Sequence, residues 1–159
     1  MVNDAALRDH FARALDWQDA RVSLATALAD LPAELRARRP AGFSHSAWEL
    51  LEHLRIVQQD ILEFCVNPRY AELTWPDDYW PPPSEPPTTA AWEAGADAVT
   101  AGVAALKALA LDPSVDLFAT IPHGSGQTYL RELLLVIDHN AYHVGQIVAV
   151  RRALGAWPG

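Results

Sequence analysis

Cysteine is almost missing: Cys65 stands alone among 159 residues, so no disulfide can form within the chain and a reducing compartment fits. Basic side chains are in deficit, 12 against 20 acidic ones, for a formal charge of −8. That sign repels a phosphate backbone, and the arginines gather only in small groups, Arg36/Arg38/Arg39 and Arg151/Arg152, read as solvated helix ends. Nucleic acid is therefore not an expected partner. The N-terminal MVNDAALRDHF lacks the basic-then-apolar order of a signal peptide. No apolar run approaches the roughly 18–20 residues of a membrane span, so no membrane partner and a cytoplasmic location are expected.

What is present is helical. Half the residues are apolar, with Ala and Leu filling the periodic stretches, which points to an all-α bundle forming one domain over 1–159. The chain is organised around its last helix, expected over Thr128 to Leu154. Leu130, Leu133, Leu134, Ile137, Ala141, Val144, Val148 and Leu154 recur there at the spacing of a helix packed on a core. Gly145 lies in that helix, where glycine loses about 1 kcal/mol relative to alanine, so a close helix contact or an open site is expected around it. Gly155 and Pro158 supply the stop.

Helix one is expected from Asp4 to Ala29, with a buried stripe of Leu7, Phe11, Ala14, Gln18, Val22, Ala25 and Leu28 and a stop near Pro32. A short helical turn follows in PAELRARR. Helix two opens on a capping box, Ser46 with Glu49, and runs to Val66. His45 precedes the cap, at an exposed helix mouth. From Asn67 to Pro87 the chain is irregular, with six prolines among the last dozen residues. Its rings, Tyr70, Trp75, Tyr79 and Trp80, either anchor the crossover to the bundle or cover a pocket. Helix three is expected from Thr88 or Thr89 to Asp112, burying Trp92, Val99, Val103 and Leu106. The connection from Asp112 to Gln127 is long enough to allow a parallel middle pair of helices.

His139 and His143 are four apart in the last helix, one above the other with Cβ atoms roughly 5–6 Å apart. His53 lies two turns inside helix two. A lone histidine on an apolar face is more often a satisfied core residue than a ligand, but three imidazoles buried together share a cation economically. Asn140 stands where an HExxH protease carries its glutamate, and Glu49 precedes His53 by four residues rather than the three of carboxylate-bridged bundles. One cysteine cannot build a structural thiolate site. What remains is a mononuclear three-histidine site with open positions; imidazole ligands suit zinc, nickel, iron or copper alike.

SAWELLEHL in helix two and LRELLLVIDHNAYHVGQI in helix four resemble the DinB/YfiT-like superfamily. The resemblance spans the chain, including the proline-rich crossover and the HG-x-G-x-T approach to the last helix. Its most specific part is His53 followed 86 positions later by H-x-x-x-H-x-G-Q. It implies a four-helix bundle in up-down-down-up order, usually a homodimer, with one divalent metal held by His53, His139 and His143. It further implies a thiol-dependent S-transferase or isomerase that uses a low-molecular-weight thiol. Small residues at Gly95, Gly102 and Gly145 would permit close helix approach at a dimer interface.

Glu49 and Glu132 are the candidate acid–base or ligand-orienting residues, with the capping box as the simpler role for Glu49. Gln18, Tyr142, Gln146, Trp75 and Trp80 are candidate pocket residues. Cys65, about 18 Å along the helix from His53, is too far away to act at the metal. Two further readings of function stand beside the transferase: a non-enzymatic metal-binding bundle serving as a structural or partner-binding module, and a metal-dependent hydrolase.

Overall fold

A Ser or Thr hydroxyl opens four of the helices. Ser23, Ser46, Thr88 and Thr128 each accept a bond from a backbone N–H in the first turn they precede, satisfying donors that a helix leaves unpaired at its start. The computed structural model describes residues 4–81 and 87–158. In chain order the helices are α1 (Asp4–Ala14), α2 (Leu24–Leu28), α3 (Ala33–Arg36), α4 (Ala47–Val66), α5 (Thr89–Leu111) and α6 (Tyr129–Ala153), with a 3-10 turn at Asp77–Tyr79. Among the described residues there is no β-strand, only an isolated bridge between Thr120 and Thr128. The fold is all-helical, as expected. Much of the proline-rich stretch, residues 82–86, lies outside the described residues.

Long α4 and α6 form the spine: α4 packs on both α5 and α6, and α1 packs on α5. Two apolar clusters stack along it. One gathers Leu28, Leu31, Leu50, Leu51, Leu54, Trp92, Val144 and Ile147; the other gathers Leu15, Val57, Ile61, Cys65, Leu106, Leu117, Leu133 and Val136. α5 approaches α4 through its glycines. A Cβ on Gly95 would stand 3.0 Å from Glu52 Oε1, and one on Gly102 would stand 2.6 Å from Gln58 Oε1.

Several expectations need correction. The first long helix breaks after Ala14, because its two halves bury in different places: Leu15 enters one cluster, while Ala27 and Leu28 enter the other. Ser23 then caps a new helix. Gly95 and Gly102 are taken up by packing against α4 within the chain, and a Cβ on Gly145 would meet nothing, so of the two alternatives expected there the open site holds. Arg151 is no solvated helix end. It is 2% exposed and donates to the carbonyls of Ala27, at 2.7 Å, and Ala156, at 3.0 Å, joining α2 to the end of α6. Finally, α5 and α6 are long and apolar enough, by length and composition, to cross a membrane. Their apolar faces pack against α4 in the bundle, which is compatible with a soluble protein.

Leu51 is fully buried against Gly95. Leu51→Ala should lower unfolding free energy by about 2–5 kcal/mol, read by urea denaturation at unchanged m-value, because the cavity left between α4 and α5 cannot fully collapse.

Candidate metal centre

The spacing that puts His139 and His143 on one face of α6 turns both rings toward α4, where His53 meets them. Ring centroids lie 4.9 Å apart for His53–His139, 4.6 Å for His53–His143 and 4.3 Å for His139–His143. One potential ligand nitrogen from each lies within 4.8 Å of the others, and two of the three side chains are buried. Among the described residues, no other His, Cys, Asp or Glu joins this group.

Hydrogen bonds decide the tautomers. His53 Nδ1 lies 2.7 Å from the Tyr79 carbonyl oxygen, which can only accept, so Nδ1 carries the proton and Nε2 keeps its lone pair. His143 Nδ1 donates likewise to Gln146 Oε1 at 2.7 Å, leaving its Nε2 bare. His139 Nε2 stands 3.0 Å from His53 Nε2, while His139 Nδ1 is buried without a partner. Neither tautomer of His139 satisfies both of its nitrogens within the protein. Bare lone pairs brought together, with the opposite ring nitrogen of two histidines held by an acceptor, are the arrangement that metal-ligating imidazoles require. The donor set fits a divalent ion of the imidazole-preferring kind.

Burial also keeps the rings neutral. Desolvation, followed by the neighbouring His143 and His53, pulls His139 down to about 3. Desolvation and then His53 bring His143 down to about 4, and burial lowers His53 as well.

Trp80 is the lid of the cluster. Its ring lies between two imidazoles, 3.8 Å from His45 at 8° and 4.0 Å from His53 at 3°. Both readings of the crossover therefore hold: Tyr70 and Tyr79 tie it to Asp60 on α4, each donating its hydroxyl at 2.8 Å, while Trp75 and Trp80 line the histidine cavity. That cavity, about 400 Å³, is also walled by Val57, Leu135, Tyr142 and Gln146. Tyr142 is 63% exposed and forms the rim.

The remaining candidates fall elsewhere. Gln18 lies beyond the end of α1, exposed beside Trp17 and Asp19 in a groove formed with Leu134 and Ile137, because the helix that would have carried it inward has ended. Glu49 is committed to its cap: it accepts from the Ser46 backbone at 2.8 Å and pairs with Arg39. Glu132, 2% exposed, pairs with Arg131 at 2.7 Å and lines an adjoining cavity, not the histidine one. Cys65 sits in the far apolar cluster, its thiol pushed up to about 12 by burial and by Glu132. Sequence reasoning missed two participants. His45, expected to be exposed, is half-buried on Trp80; the Tyr79 carbonyl is a backbone atom and carries no residue signal at all.

The depressed histidines set a pH dependence. Unfolded, each takes a proton near 6.5; folded, His143 and His139 stay neutral to about 4 and about 3. The unfolded state then binds more protons below pH 6.5, so metal-free protein should lose stability steadily from there toward pH 4. Chemical denaturation of the chelator-treated protein across that range checks the slope, which His139→Ala should reduce.

No curated protein and no solved structure matches this chain. One family model does, over residues 16–147, from just after α1 into the last helix and including all three clustered histidines. The match takes in most of the chain, which therefore belongs to the DinB superfamily.

Proposed function

We propose that the protein holds one divalent metal ion through His53, His139 and His143 and joins a low-molecular-weight thiol to an electrophile, as an S-transferase or thiol-dependent isomerase. The observation that carries this is the pair of imposed tautomers: Tyr79 and Gln146 hold the protons of His53 and His143 on Nδ1 and leave both Nε2 lone pairs free, in a cluster where each ring offers a nitrogen within 4.8 Å of the others. A bound divalent ion supplies positive charge that favours an ionised thiol at neutral pH. The chain's own residues do the rest. Three neutral ligands leave that charge uncancelled, as carboxylates would not. Trp80 shields the cluster from one side, while Trp75 and Leu135 give the cavity an apolar wall for the electrophile. His45 also lines the cavity and is shifted toward its neutral form by burial. The proton that the thiol gives up passes to water at the exposed Tyr142 rim, the sulfur bonds to the electrophile, and the displaced group, or in an isomerisation the sulfur itself, departs through the same opening.

The open cavity favours chemistry over a purely structural metal, whose coordination is usually closed by a fourth protein ligand. A hydrolase would use the same cavity, and the assay below separates the two. A homodimer completes the proposal. It is supported by the family resemblance and by apolar surface along α1, the segment just after it and α6, where Trp17 is 56% and Leu134 51% exposed beside Phe11 and Ile137.

Metal analysis should find one divalent ion per chain in the native protein and none in His139→Ala, whose helical circular dichroism persists because the apolar clusters are untouched. Conjugation of glutathione, bacillithiol or mycothiol to a generic electrophile should vanish with chelation and return with metal. Turnover that survives chelation would sink the mechanism, and unfolding on metal removal would make the site structural. Sedimentation at tens of micromolar should give a dimer, which Leu134→Glu should split.

A further inference from the structure

His53 keeps its proton on Nδ1, held by the Tyr79 carbonyl, so its Nε2 can only accept. His139 Nε2 lies 3.0 Å from it. The hydrogen between those two nitrogens therefore belongs to His139, and in the metal-free protein that ring is the Nε2–H tautomer with a bare, buried Nδ1. A metal ion reverses this. Ligation through Nε2, the nitrogen that meets His53, needs its lone pair, so the neutral ring must carry its proton on Nδ1 instead. That creates a buried N–H in need of an acceptor, of the kind that Tyr79 and Gln146 already give the other two rings.

The acceptor stands next in the chain. Asn140 is 5% exposed, and its Oδ1 is buried with no partner among the described residues, as His139 Nδ1 is. Burial, His143 and His53 all lower the His139 ring; the Asn140 side chain is the one influence that raises it, the sign of an amide oxygen placed to take a ring proton. Behind Asn140 lies a cavity of about 50 Å³ that Gln58 also lines, itself 1% exposed and with neither amide atom partnered among the described residues. Gly102 leaves room for that amide, since a Cβ there would stand 2.6 Å from Gln58 Oε1. A carbonyl oxygen has two lone pairs, so Gln58 or a cavity water can share Asn140 Oδ1 and steady it.

We infer that Asn140 is the positioning residue of His139: on metal binding the His139 proton moves from Nε2 to Nδ1, where Asn140 Oδ1 accepts its hydrogen bond. Water carries the proton from one nitrogen to the other, and the ring is neutral before and after. The inference rests on the metal-binding part of the function proposed above and not on its thiol chemistry.

Zinc is the probe, titrated into the full-length, metal-free protein while the ring nitrogens are followed by long-range proton–nitrogen NMR correlation. His139 should carry its proton on Nε2 without zinc and on Nδ1 with it, while His53 and His143 keep Nδ1–H in both states. Asn140→Leu should weaken zinc binding about tenfold, the usual effect of removing an acceptor behind a ligating imidazole, and Asn140→Asp, which keeps one, should bind at least as tightly as the native protein. Should Asn140→Leu fail to fold, the NMR switch in the native protein and the Asn140→Asp titration decide. A His139 proton on the same nitrogen in both states overturns the inference, and so does weaker zinc binding by Asn140→Asp. An Asn140→Leu protein that loses stability yet holds zinc as the native protein does would make Asn140 a structural residue and overturn it too. Native protein that takes up no zinc overturns the metal site as well. The proton switch in a protein that conjugates no thiol retains this inference and rejects the transferase.

Discussion

One hydrogen bond, from His53 Nδ1 to the Tyr79 carbonyl, holds the centre together. The backbone carbonyls of α4 are engaged along its axis, so the acceptor for the His53 ring comes from elsewhere in the chain, from the crossover. Tyr79 can supply it reliably because its hydroxyl is fastened to Asp60. Asp60 lies seven residues after His53, two turns along the same face of α4. The histidine and the clamp that aims it are therefore built on one rigid helix, and the loop is pinned to it at both ends of a single residue, the carbonyl and the hydroxyl of Tyr79.

The same clamp determines what surrounds the rings. With Tyr79 fixed, Trp80 falls onto His53 and His45, and the desolvation it contributes keeps the imidazoles neutral and their lone pairs available. Tyr79 also forms part of the wall between the two cavities, one lined by imidazoles and one by aromatic rings and carboxylates. Beneath them, the bundle core carries its own polar residues. Gln58 and Asn140 are buried with unpartnered atoms beside a small cavity of about 50 Å³, room for a few water molecules that would satisfy them.

Much of this was legible in the chain. The helix starts were written in Ser46, Thr88 and Thr128, because a capping hydroxyl works through contacts within three residues. Apolar periodicity announced α4, α5 and α6, and the four-residue spacing of His139 and His143 placed both on one face by helix geometry alone. Local rules failed where distant contacts competed. Nothing near Ala14 ends the first helix; it ends because Leu15 and Leu28 are claimed by clusters at different levels of the bundle.

By itself, then, the sequence determined the helical class, the caps and the pairing of two histidines, since each depends on residues a few positions apart. Only the tertiary structure decided that His53 meets that pair, that Gln18 does not, and that Glu132 faces the neighbouring cavity. It also decided the tautomers, through a backbone carbonyl 26 residues from the ring it holds. That last choice could not be read in advance, because a carbonyl is the same atom in every residue and only the path of the chain brings one to a particular nitrogen.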